Sequence, residues 1–157
     1  MIAAPSTRKL RAVLIEDEAV FRRLLVMTLG KVKDLEVVGD FGFGRPALEF
    51  CQRERPDLMV VDLSLPDIDG MELVRQVRGT LGETKILVIT GRAQDGLAGD
   101  LMALGVDGYL DKSEPIDFVV GAVESVRSGG MFFASRVRVT TAPNQETLPA
   151  ALVAGLT

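Results

Sequence analysis

Leu58–Gly70, LMVVDLSLPDIDG, is the stretch whose reading decides the fold. Leu58, Met59, Val60 and Val61 are four consecutive apolar residues. They have the length and β-branching of a strand buried on both faces, the usual state of a strand in a parallel sheet. Asp62 ends the run with a lone carboxylate. Pro66 and Gly70 then stop any strand and force a turn before a helical pattern opens at Met71. Asp62 is therefore expected at the carboxyl end of a central strand, the edge of an open α/β sheet where ligands collect.

The same alternation extends in both directions. Upstream, Ala12–Ile15 reads as a short buried strand closed by Glu16, Asp17 and Glu18. A helix fits Ala19–Lys31, where Val20, Leu24, Met27 and also Leu25, Thr28 recur at spacings of three and four. Leu35–Val38 is a second strand, and Pro46 sits where a first-turn proline is tolerated, in a helix running to about Arg55. Downstream, a helix over Met71–Arg78 precedes a fourth strand, Ile86–Ile89, ended by Thr90. Residues 91–105 read as a helix weakened by Gly96 and Gly99, and therefore mobile. Val106–Leu110 is a fifth strand ended by Asp111 and Lys112, and a last helix runs from about Pro115 to Arg127 before Gly129 and Gly130. Five strands alternating with five helices imply right-handed crossovers and a parallel sheet covered by helices on both faces. Residues 1–9 read as a flexible leader, 10–130 as one domain and 131–157 as a linker or tail.

Composition narrows the chemistry. The 157 residues suffice for one full core and not for two ordinary domains, and 47% apolar with 25% charged residues is a globular balance. No apolar run approaches the roughly 20 residues needed to span a bilayer, and the first residues lack the apolar core of a signal peptide, so a cytoplasmic protein is expected. Cys51 is expected to be a small buried hydrophobe. The chain contains no histidine, which excludes Ser-His-Asp and Cys-His nucleophiles, histidine zinc sites and histidine phosphocarriers as chemistry of this chain alone. A net charge of -4 offers no basic face, so direct nucleic-acid binding by this segment is not expected.

The groups that follow the strands are Glu16 and Asp17, Asp40, Asp62, Thr90, and Asp111 with Lys112. In a parallel sheet all lie along one edge. Clustered acids repel one another and stay ionised most readily when a cation joins them, and an all-oxygen ligand set favours Mg2+. The Thr90 hydroxyl and the Lys112 ammonium add donors around the same point, a combination suited to a phosphoryl group.

In these residues the chain resembles the receiver domains of two-component response regulators. The resemblance covers Leu10 to about Gly130 and rests on five separated points: Glu16-Asp17, Asp62 with its LPDIDG continuation, Thr90, Tyr109 and Lys112. It implies a flavodoxin-like sheet of order 2-1-3-4-5. It implies that Asp62 is the phosphoacceptor for a sensor histidine kinase or phosphotransfer protein, and that Asp17, Asp62 and the backbone carbonyl of Ser64 ligate Mg2+, with Glu16 acting through waters. Lys112 would pair with Asp62 and then with phosphate, while Thr90 and Tyr109 would form the conformational switch, with homodimerisation possible on phosphorylation. YLDKSEP and the Ser-Gly-Gly after the last helix are most similar to the NarL/FixJ subgroup, whose receivers precede a helix-turn-helix domain. Transcriptional output through such a domain, lying beyond Thr157, is the corresponding expectation.

Some positions depart from the family's commonest pattern. Glu16 stands where Asp is frequent, Ser113 replaces a common proline, and Ser64 and Arg92 occupy positions that influence phosphate lifetime. Two other readings stay open. A pseudo-receiver would bind partners without phosphate, although the intact acids and Lys112 argue against it. A dinucleotide site is suggested by Gly42-Phe-Gly44-Arg-Pro-Ala47 with Asp62 twenty residues after Gly42, although Pro46 removes an amide from the turn that would meet pyrophosphate.

Overall fold

The computed structural model describes residues 8–92 and 94–134; residues 1–7 of the expected leader and 135–157 of the expected tail lie outside the described residues. The elements are β1 Leu10–Ile15, α1 Ala19–Leu29, β2 Leu35–Phe41, α2 Gly44–Glu54, β3 Leu58–Val61, α3 Gly70–Thr80, β4 Lys85–Thr90, α4 Leu97–Ala103, β5 Gly108–Asp111, α5 Phe118–Arg127 and β6 Phe132–Ala134. All strands are parallel, in the order β2-β1-β3-β4-β5-β6.

The expected five-stranded sheet is thus corrected to six strands. Residues 132–134, read as the start of a linker, pair with β5 through Gly108↔Phe132, Tyr109↔Phe133 and Leu110↔Ala134. A three-residue strand has too little alternation to stand out in a sequence. It forms because Phe132 and Phe133 each find a core, one on either side of the sheet.

The period-two alternation of the strands divides the interior into two layers. Val13, Ile15, Met59, Val61, Ile86, Val88 and Tyr109 pack with α2, α3 and α4 on one face. Ala12, Leu14, Leu58, Val60, Leu87, Ile89 and Leu110 pack with α1 and α5 on the other. β3 is buried at all four positions because it lies between β1 and β4 and beneath helices on both sides. Its burial is what places Asp62 at the centre of the sheet's carboxyl edge.

Several elements differ from their sequence-based bounds for local reasons. β2 runs on through Gly39 to Phe41, in a ladder whose register shifts between Ala12 and Val13. Helix α4 is cut to seven residues because Gly96, at φ 84°, ends the preceding turn in a left-handed conformation that side-chain-bearing residues avoid. In α1, Leu25, Thr28 and Leu29 face the sheet, whereas Val20, Leu24 and Met27 point outward with 79%, 42% and 62% exposure. The helix carries two apolar stripes and only one can meet the core.

Candidate functional site

Three strand ends build the site. The Asp62 amide donates to the Ile15 carbonyl at 2.9 Å, extending the β1–β3 ladder by one step and setting Asp62 beside Glu16. The Lys112 amide donates to the Thr90 carbonyl at 3.0 Å, which does the same for β4 and β5. Asp62 is 3% exposed, Glu16 1% and Thr90 fully buried, while Asp17 is open to solvent. Oxygens of Glu16, Asp17 and Asp62 lie within 4.8 Å of one another, so the three acids do converge as expected.

Lys112 ties the cluster together. Its Nζ donates to Asp62 Oδ2 at 3.0 Å and lies 2.9 Å from Glu16 Oε1, an ion pair whose angles fall outside those of a hydrogen bond. Burial acts to lower the Lys112 pKa, but Glu16 and Asp62 outweigh it and hold the ammonium above the ordinary lysine value. Burial also pushes the Glu16 carboxyl upward, opposed by Lys112 and by the Glu18 amide, which donates to Oε2 at 3.0 Å, while the Asp62 charge pushes it further up.

This balance makes Lys112→Met a stability test. The substitution leaves two buried carboxylates without their cation, and it is expected to cost about 3 kcal/mol at neutral pH, the scale of breaking a buried pair. Without Lys112 the folded-state pKa of Glu16 rises still further above its unfolded value. An acid raised on folding contributes most at low pH, and that contribution is lost as pH rises through the folded pKa. Urea unfolding should therefore show the variant's deficit small in acid and growing as pH rises above the ordinary carboxylate range. A deficit independent of pH would contradict this coupling.

Asp62 Oδ1 accepts from the Ser64 amide at 3.2 Å, a turn that folds residue 64 back beside the carboxylate. Thr90 Oγ1 accepts from the Arg92 amide at 3.1 Å, so the hydroxyl hydrogen is left to point elsewhere. Tyr109 is 2% exposed and meets Phe133 edge-on at 6.5 Å. Tyr109 is enclosed because β6 covers β5. Two strand-end acids do not join the cluster: Asp40 pairs with Arg22 at 3.5 Å, and Asp111 Oδ1 accepts from the amide and hydroxyl of Ser113, both at 2.9 Å.

Several contributors were not legible in the sequence. Phe21, on the first turns of α1, places its ring 4.6 Å from Lys112 Nζ. Arg22 donates to the Glu16 carbonyl at 2.7 Å and steadies the acidic turn. Asp67 and Asp69, in the loop between Asp62 and Gly70, each hold a helix start. Asp67 accepts from the Gly44 and Arg45 amides, both at 2.8 Å, and Asp69 accepts from the Met71 amide at 3.2 Å and pairs with Arg92 at 3.3 Å. The Asp67 contacts dispose of the dinucleotide reading. The amides at the start of α2 that would meet a pyrophosphate already hold the chain's own carboxylate.

A parallel sheet with a buried acid at the end of its central strand, a lysine across from it and a threonine between defines a phosphoacceptor-type α/β domain. The chain belongs to the response regulator receiver domain family, whose model matches residues 12–124. It is 29% identical over 136 residues to the response regulator UvrY of Escherichia coli, covering 87% of this chain and 62% of that protein. It is 28% identical over 129 residues to the transcriptional regulatory protein DegU of Brevibacillus brevis, covering 82% of this chain and 55% of that one. The signal receiver domain of the putative response regulator NarL from Mycobacterium tuberculosis superposes with a TM-score of 0.71 at 28% identity, over 78% of this chain and 98% of that domain. These likenesses bear out a NarL/FixJ-like receiver, and the chain spans less than two thirds of the curated relatives it matches. It is a signalling domain with an acidic pocket of the kind receivers use for a divalent cation. Among the described residues no helix is long and apolar enough to cross a membrane.

Proposed function

We propose that Asp62 accepts a phosphoryl group from a histidine of a partner protein, a sensor histidine kinase or a phosphotransfer protein, and that the resulting aspartyl phosphate switches the domain's conformation. The observation that carries this reading is the buried Asp62 carboxylate held between the Lys112 ammonium and the neighbouring acids. This chain has no histidine, so a phosphohistidine donor lies outside it.

In the transfer, a carboxylate oxygen of Asp62 attacks phosphorus and forms an O–P bond. The P–N bond breaks, and its electron pair remains on the leaving imidazole nitrogen. Lys112 moves from Asp62 Oδ2 to a phosphoryl oxygen and neutralises part of its charge. Asp17, Asp62 and the Ser64 carbonyl would hold Mg2+ directly, with Glu16 acting through water, and the ion would supply charge neutralisation to the transferring group. The Thr90 hydroxyl donates to a phosphoryl oxygen, which draws in the loop after β4. Tyr109, packed on Phe133, follows Thr90 and carries the change to the surface around α4.

The partner needs a docking face beside Asp62, and the outward stripe of Val20, Leu24 and Met27 runs along the helix that starts two residues after Asp17. An apolar helix surface on the donor fits it. Val20→Glu with Met27→Glu is expected to slow transfer from the phosphorylated donor protein at least about tenfold, the cost of about 1.4 kcal/mol at an interface. Phosphorylation by acetyl phosphate should stay unchanged, and equal loss with both donors would place the stripe in folding instead.

The name of DegU, a transcriptional regulatory protein, supports a role in transcription regulation. The same proposal includes a cytoplasmic location, action on DNA through a separate output domain, homodimerisation on phosphorylation and self-assisted loss of the phosphate. The test is intact mass after incubation with acetyl phosphate. One phosphoryl adduct that forms with Mg2+ and is absent when the ion is chelated supports the reading. No uptake under either condition would favour a phosphate-independent receiver.

A further inference from the structure

We infer that Phe21 is a positioning residue for phosphoryl transfer, its aromatic face serving as a third anchor for the Lys112 ammonium; the inference rests on the phosphoacceptor reading above. A lysine ammonium has three N–H donors. Two of its neighbours here are anionic, Asp62 Oδ2 at 3.0 Å and Glu16 Oε1 at 2.9 Å, and the third is the Phe21 ring, with its centroid 4.6 Å from Nζ. That distance lies within the range in which the ring's negative face attracts a cation.

The three contacts are not equivalent during the reaction. Once an Asp62 oxygen bonds to phosphorus, the Lys112–Asp62 contact must be exchanged for one to the phosphoryl group. Glu16 and Phe21 take no part in bond making, so they can hold the ammonium in place through the exchange. Lys112 is on a flexible four-carbon stem with 24% of its side chain exposed, and without a wall it has open solvent to swing into. The Phe21 ring supplies such a wall. The ring is itself braced, being half-buried against the core between the sheet, α1 and α5. Phe21 is also only four residues from Asp17, so the turn that presents the acids and the ring that presents the lysine's anchor move together.

The experiment compares wild type, Phe21→Leu and Phe21→Tyr. Leucine keeps an apolar side chain for packing and removes the π face; tyrosine keeps the face. Two readouts are taken: the rate of phosphorylation by acetyl phosphate at saturating Mg2+, and the chemical shift of the Lys112 ε-methylene protons in the metal-free protein. In wild type the ring should shift those protons upfield. Phe21→Leu should abolish that shift and slow phosphorylation about fivefold with its thermal midpoint nearly unchanged, and Phe21→Tyr should restore both to within about twofold of wild type.

A leucine variant that phosphorylates at the wild-type rate overturns the proposal. So does a tyrosine variant as slow as the leucine one, since packing and not the π face would then be responsible. If wild type takes no phosphate, the phosphoacceptor reading itself fails and the positioning role falls with it, and the methylene shift separates that case by showing whether the contact exists.

Discussion

Asp62→Asn is expected to abolish phosphate uptake completely while leaving the fold intact. Asparagine has the same shape as aspartate and retains an oxygen for the Ser64 amide, so the turn after β3 is preserved. What disappears is the ionised oxygen that attacks phosphorus, and no neighbour can replace it. Glu16 is turned toward Lys112 and the Glu18 amide, Asp17 is exposed, and Asp111 is engaged by Ser113. Stability should hold or rise in the absence of metal, because the Asp62 charge is one of the forces pushing the Glu16 carboxyl upward and its removal relieves that repulsion. Intact mass after acetyl phosphate and Mg2+, with a thermal melt on the same sample, checks both halves. A full adduct on the variant would move the phosphate to another residue.

The second large effect concerns Gly70, and it acts on the fold. A Cβ at Gly70 would overlap the Leu63 backbone, against which the Gly70 amide donates to the Leu63 carbonyl at 3.1 Å. Leu63 immediately follows Asp62, so the close approach of α3 to this loop is also what seats the site on the sheet edge. Gly70→Ala forces the two backbones apart and should cost about 3 kcal/mol, the upper range for overpacking. For a chain of this size that lowers the thermal midpoint by roughly 10 °C. Gly79→Ala is the control on the same helix: nothing lies within 4 Å of a Cβ there, and it should stabilise by up to about 1 kcal/mol. Equal midpoints for the two variants would show that the loop adjusts without penalty.

Both predictions concern positions that the sequence marks, Asp62 as the acid that ends a buried strand and Gly70 as a turn residue. The reason for Gly70 differs from the expectation. It is needed less for the freedom of a turn than for the absence of a side chain where helix start and loop touch. Asp67, in the same loop, likewise acts at a distance and caps α2 from 22 and 23 residues away.

What the sequence determines by itself is what short-range pattern encodes. Runs such as Ala12 to Ile15, Leu58 to Val61 and Ile86 to Ile89 can satisfy their burial only in a sheet covered on both faces, and the polar residues that end those runs must then line up on one edge. Glu16, Asp17, Asp62, Thr90 and Lys112 follow from that logic, and the structure brings them together. Tertiary structure alone decides matters in which two distant segments compete or meet. It chooses which of two apolar stripes on α1 faces the core, burying Leu25 and Leu29 and leaving Val20 and Met27 outside. It adds β6, too short to carry a period, because Phe132 and Phe133 find opposite cores, and so it encloses Tyr109. It brings the Phe21 ring to Lys112 across 91 positions of chain, a contact between an unremarkable helical aromatic and a strand-end cation that no local pattern signals, because it arises only where β1–α1 and β5 converge at the edge of the sheet.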